Sequence, residues 1–162
     1  GYAALARAVM NGHVETVKVL LKAGARIDAR SANTPPTLIL AAQQPNAEVL
    51  DLLLRLKPDL EQETPEGTTA LLEAIAARRF NHVPKLIAAG ANPNHAARDG
   101  RTALMMAVSG KSVATTEALL RARAHVNVRN EAGQTALFMA ANADEPALVD
   151  LLVFARAALG AR

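Results

Sequence analysis

Cysteine and tryptophan are absent from the 162 residues, and one tyrosine and three phenylalanines make up the Phe, Tyr and Trp complement. The first absence excludes a disulfide scaffold and any cysteine-ligated metal site. The scarcity of aromatics removes the usual anchors of protein interfaces and the platforms on which single-stranded nucleic acid stacks, so arginine would have to dominate a recognition surface. No stretch approaches the ~18 apolar residues of a membrane span, and Gly1-Tyr2-Ala3-Ala4 puts no charged segment ahead of an apolar run. No membrane insertion is therefore expected, and an intracellular location is. The charge excess is also small: 18 Lys+Arg against 15 Asp+Glu gives +3, too little to imply a nucleic acid partner by itself. With 51% hydrophobic and 20% charged residues the composition is that of a folded globular chain. Opening on glycine rather than methionine, the chain is expected to be a piece of a longer protein.

The chain repeats itself every 33 residues. Leu5, Leu38, Leu71, Leu104 and Leu137 keep that spacing without insertion, and Ala8, Ala41, Ala74, Ala107 and Ala140 follow each by three. Leu20, Leu53, Leu86, Leu119 and Leu152 repeat in the same register. Gly67, Gly100 and Gly133 precede the first set, as Gly1 does, with Thr34 in the second copy. The copies run over about 1–33, 34–66, 67–99, 100–132 and 133–162, read together as one domain. Each holds two short helical patterns and a turn. Leu104, Ala107 and Val108 form one apolar face, and Thr116, Leu119 and Leu120 a second. A helix pair this short cannot bury its apolar face alone, so stability must come from stacking on neighbouring copies, with the small alanine permitting close approach.

Local deviations are also predicted. The second helix should end in a left-handed cap at Gly24 and Gly90. Lys57 and Arg123 hold that position in two other copies, where the same backbone would cost ~1–2 kcal/mol, so those ends should be looser or capped differently. Pro84 falls inside the second helix of the third copy, which predicts a late start with Asn81 as N-cap and Pro84 in the first turn. The second copy, with Pro35-Pro36-Thr37 and Lys57-Pro58, should deviate most.

These residues resemble the ankyrin repeat, whose period and T-P-L-H-x-A signature they echo over essentially the whole chain. Gly67-Thr68-Thr69-Ala70-Leu71, Gly100-Arg101-Thr102-Ala103-Leu104 and Gly133-Gln134-Thr135-Ala136-Leu137 look like its G-x-T-x-L opening. Leu20-Leu21-Lys22-Ala23-Gly24-Ala25 and Leu86 through Asn94 look like its L-L-x-x-G-A-x-x-N segment. The family's histidine is missing throughout, replaced by Ala6, Ile39, Leu72, Met105 and Phe138. The resemblance implies an all-α helix-turn-helix solenoid with hairpin fingers, binding a protein or peptide partner through the fingers and the adjoining first helices. It also places Asn94 and Asn127 where some members are hydroxylated, against the default reading of turn-stabilising asparagines.

Catalytic chemistry finds no support. Gly110-Lys111-Ser112 imitates the end of a phosphate loop, but Met105 stands where its first glycine should be and no strand precedes it, so a turn and helix N-cap is the better reading. His13, His82, His95 and His125 fall at different phases of the repeat and would not converge on a metal. Ser31, Ser109 and Ser112 lack a nucleophile motif. Glu61 and Glu63 read as a solvated finger arm rather than an acid–base pair. No enzyme activity and no cofactor are expected.

The candidate partner-binding residues are those at finger tips that change from copy to copy: Arg30 and Asn33, Glu63 and Glu66, Arg98, Asp99 and Arg101, then Arg129, Glu131 and Gln134. Charge is segregated along the chain. Residues 48–73 hold seven acids and two bases, and residues 74–129 nine bases and two acids. The sharper expectation is that Arg98, Arg101 and Arg129 engage an acidic segment of the partner through bidentate pairs. The alternatives are a structural spacer in a larger multidomain protein and, disfavoured by the acidic band, a nucleic-acid-contacting module. Phe154 stands where other copies have Lys22, Arg55, Ala88 and Arg121, so the last helix is expected to extend or dock, and that end to meet a further repeat or a partner.

Overall fold

The structure, a computed structural model, describes residues 2–28 and 34–160. These residues form ten α-helices, one 3-10 turn and isolated bridges, Ala96 with Thr102 among them, but no named strand. The chain divides into two compact units, Gly1–Asn92 and Pro93–Arg162.

The first unit contains α1 (Tyr2–Met10), α2 (Val14–Lys22), α3 (Thr37–Gln43), α4 (Glu48–Leu54), α5 (Ala70–Ala76) and α6 (Val83–Ala89). Helices α1, α3 and α5 stack as one row, and α2, α4 and α6 as a second. The second unit repeats the arrangement with α7 (Ala103–Ser109) on α9 (Ala136–Asn142) and α8 (Val113–Arg121) on α10 (Pro146–Gly160).

The residues that keep the 33-residue period are the ones that glue these rows. Leu5, Leu38, Leu71 and Leu104 are at most 5% exposed, and Ala41, Ala74, Ala107 and Ala140 are fully buried. Their carbonyls have a second task. Ala8, Ala74, Ala107 and Ala140 accept the N–H of His13, Arg79, Ser112 and Glu145 at 2.7 to 3.1 Å, closing the turn between the helices of each pair. The residue before each donor, Gly12, Arg78, Lys111 or Asp144, has positive φ, and among these only glycine adopts it without strain.

The caps correct one expectation and refine another. Lys57 and Arg123 do not adopt a different ending: their φ values of 53° and 65° match the left-handed caps at Gly24 and Gly90. Arg123 N–H reaches Leu120 O and Ala124 N–H reaches Leu119 O at 3.0 Å, the same pair of bonds that Gly90 and Ala91 make. Layer packing therefore overrides the steric preference of a single residue. Lys57 keeps only the first bond, to Leu54 O at 3.1 Å, because the next residue is Pro58 and has no N–H. Pro84 does lie in the first turn of α6, but its N-cap is His82 and not Asn81, which belongs to the 3-10 turn Phe80–His82. That turn carries the chain into the helix without a side-chain cap.

Helix α10 extends to Gly160, past Arg156, which sits where the other second helices reach their caps.

Candidate functional site

The fingers are tight turns held by their own backbones. In the second unit, Ala97 N–H donates to Arg101 O and Gly100 N–H to Ala97 O, both at 2.9 Å. The following finger repeats this with Asn130 N–H to Gln134 O at 3.0 Å and Gly133 N–H to Asn130 O at 2.8 Å. A cross-link joins the two: Glu131 N–H donates to Asp99 O at 3.0 Å. Each finger then enters a helix through a threonine cap, Thr102 Oγ1 accepting from Met105 N–H and Thr135 Oγ1 from Phe138 N–H. The tip side chains are thus carried on a fixed frame.

Of the ten candidate residues, Arg30 and Asn33 lie outside the described residues. Arg98, Arg101, Arg129, Glu131, Glu63 and Glu66 are exposed, and Asp99 and Gln134 half-buried. The three arginines are not equivalent. Arg101 turns back on its own finger, its Nε on Asp99 Oδ2 and its backbone N–H on Asp99 Oδ1 at 3.0 Å. The backbone N–H of Arg101 is the main cause that holds the Asp99 carboxyl below the usual range; partial burial opposes it and the guanidinium assists. Arg129 donates from Nη1 to Gly133 O at 2.9 Å. Arg98 makes no ion pair among the described residues. Two of the three are therefore held in place by the finger itself, each with guanidinium donors left over.

In the first unit the equivalent finger is tied to the helices by a polar chain. Thr64 and Thr68 share a hydroxyl hydrogen bond of 2.6 Å, Thr68 Oγ1 donates to Glu73 Oε1 at 2.6 Å, and Gln43 Nε2 donates to Glu73 Oε2 at 2.8 Å. Glu73 thus links the finger, α5 and the end of α3. The 33-residue period does not mark this role. The available signal was an acid in a column otherwise filled by Arg7, Leu40, Met106 and Met139.

Glu61 also does more than a solvated arm would. Asp28, Glu61 and Asn94 occupy one phase of the repeat, and each accepts a backbone N–H from the residue 31 positions on: Asp59 at 3.4 Å, Asn92 at 2.9 Å and His125 at 2.7 Å. This ladder binds successive loops, so the Asn94 side chain ties its loop to that of the next repeat, rather than only stabilising its own turn. Gly110-Lys111-Ser112 is likewise a turn and a cap, with Ser112 Oγ accepting from Thr115 N–H at 3.3 Å. The acidic and basic bands are partly neutralised where they meet, by Lys85 Nζ on Asp51 at 2.6 and 2.7 Å.

Phe154 is 76% exposed, but so are its counterparts Lys22, Arg55, Ala88 and Arg121 exposed, so it faces outward in every copy rather than toward a next layer. The residue on the stacking side is Phe138, 53% exposed where Ile39, Leu72 and Met105 are 1% exposed. Among the described residues no helix is long and apolar enough to cross a membrane.

A sequence-family profile described as "Ankyrin repeats (3 copies)" matches residues 5–97 and 74–161. The human transient receptor potential cation channel subfamily A member 1 is 33% identical over 87 residues, an alignment that covers 53% of the chain and 8% of the channel. The aligned segment is thus less than a tenth of that protein's length.

Proposed function

Because the chain belongs to the ankyrin repeat family, a non-catalytic interaction fold, we propose that it is a non-enzymatic interaction module that binds an acidic segment of a partner protein or peptide through its fingers. Its repeats act in this reading as one intracellular domain. The observation that supports it is the pre-set geometry of the second unit's fingers, where Asp99 and Gly133 O hold Arg101 and Arg129 while Arg98 stands exposed beside them. Holding an arginine in place before binding lowers the side-chain entropy lost on binding, about 0.5–1.5 kcal/mol per immobilised chain. An array of Asp- and Glu-rich peptides tests this. The wild-type chain is expected to retain a subset of them, and the triple variant Arg98→Glu, Arg101→Glu, Arg129→Glu to bind that subset about tenfold more weakly or worse. Equal retention by both proteins would exclude the acidic-segment reading in favour of a spacer. Steeply salt-dependent retention of single-stranded DNA or RNA by the wild type alone would favour the nucleic-acid alternative.

We propose further that the face bearing Phe138 is a contact surface for a further repeat or a partner. Its support is the exposure of an aromatic ring at a position that the interior copies bury. Sedimentation equilibrium is expected to show concentration-dependent association of the isolated chain, which Phe138→Lys should abolish. A wild-type chain that stays monomeric and binds no hydrophobic dye would remove the proposal.

A further inference from the structure

Repeat 2 departs from the others at the turn between its helices. Pro45 takes the position held by Gly12, Arg78, Lys111 and Asp144, and its ring confines φ to about −65°, so the positive-φ turn cannot form. The chain instead leaves α3 through Gln44 in an extended conformation, with φ −69° and ψ 148°. The carbonyls at the end of α3 then need donors from elsewhere. They find them in repeat 3: Arg79 Nε donates to Gln43 O at 3.0 Å, and His82 Nδ1 lies 3.0 Å from Ala42 O. Two side chains of one repeat do for its neighbour what a local turn does in the other copies.

His82 is fully buried in this joint, at a position filled by Thr16, Val49, Thr115 and Leu148 elsewhere. A carbonyl at that distance assigns the proton to Nδ1, which leaves Nε2 as a bare acceptor, buried and without a hydrogen-bond partner. A second proton would put an unpaired N–H and a full charge there. The charged groups around it do not compensate. Arg79 precedes it and Lys85 lies one turn further along α6. Asp51, on α4, is the neighbouring carboxylate and is already gripped by Lys85 Nζ through both oxygens. Glu73, on α5, is engaged with Gln43 and Thr68.

We propose that the joint between repeats 2 and 3 is a proton-sensitive latch: neutral His82 closes it by capping α3, and protonation of His82 releases it. Burial, reinforced by Lys85 and Arg79, holds the imidazole below its ordinary pKa of 6.5 against the opposing pull of the Ala42 carbonyl and Asp51. The opened joint therefore takes up a proton near pH 6.5 while the closed one does not. Closure is at full strength above that pH and weakens as the pH falls below it, toward the depressed value. Of the other histidines, His13 is exposed in the turn between α1 and α2, and His95 and His125 belong to the second unit.

Amide hydrogen exchange on the full chain at about pH 7.5 and about pH 5 tests the latch. After correction for intrinsic exchange rates, protection in α3 and the start of α6 should fall by roughly threefold or more on acidification, beyond any change in α1 and α2. His82→Asn keeps a side-chain donor for Ala42 O without a titrating ring, and its protection in α3 should not depend on pH in this range. Equal pH dependence in wild type and variant would overturn the proposal, as would unchanged wild-type protection. Should the variant fail to fold, the NMR titration of the His82 ring in the wild type decides: a midpoint below that of an exposed histidine supports the latch, and one at or above it overturns it.

Discussion

Gly100→Ala is expected to destabilise the second unit by about 2–5 kcal/mol, while the same change at Gly133 costs about 1–2 kcal/mol. Both glycines sit at the same phase of the repeat with nearly the same backbone, φ 75° and 73°, so the conformational penalty for an added Cβ is shared. What differs is the neighbourhood. A Cβ on Gly100 would come within 2.9 Å of Asn130 Cα and 3.0 Å of Glu131 N, which are backbone atoms of the next finger and cannot rotate away. A Cβ on Gly133 meets nothing within 4 Å. The clash at Gly100 also falls on the Glu131 N–H to Asp99 O bond that couples the fingers. Equilibrium denaturation of the two variants checks the difference, and equal losses would mean that the fingers are not held at this spacing. Since the frame under Arg98, Arg101 and Arg129 depends on that coupling, Gly100→Ala should also weaken any peptide captured by those arginines, without changing a single charge.

The comparison of these glycines also shows where sequence reasoning was sufficient. A strict period is a statement about layers, because a residue that recurs at the same phase meets the same surroundings in each copy. The leucines, the central alanines, the two helices per copy and the resemblance to the ankyrin family were therefore all legible. What the period could not convey were the contacts made at phases where the residue type changes. Asp28, Glu61 and Asn94 share no side chain, yet they make the same bond to the next loop, since each presents an oxygen at the right height. The shared chemistry of their oxygens was the signal, and identity-based matching missed it. Lys57 and Arg123 failed in the opposite sense: their intrinsic preference argued against a left-handed cap, but one residue's ~1–2 kcal/mol is outweighed by the packing of a whole helix pair. The phase of the finger tips follows from the resemblance to the family, whereas the pairing of Arg101 with Asp99 is a matter of rotamers that spacing alone does not fix.

Leu71→Ala is expected to cost about 2–5 kcal/mol, and Leu137→Ala clearly less, although the two leucines occupy the same phase. Leu71 lies on α5 and is 1% exposed, closed in by α3 on the side of the preceding repeat, so deleting three carbons leaves a cavity that close-packed neighbours cannot fill without losing their own contacts. Leu137 lies on α9 and is only half-buried, beside Phe138 with its 53% exposure, so solvent already reaches part of the space an alanine would vacate. In a stack whose stability is summed over neighbouring interfaces, the interior loss also propagates. The Leu71 variant should lower the protection of α3 and α5 together, while the Leu137 variant should affect α9 and α10 and leave the first unit unchanged. Chemical denaturation gives the magnitudes and hydrogen exchange the locations. If both leucines cost the same, burial between layers would not be the source of stability, and the reading of the period as stacked helix pairs would have to be abandoned.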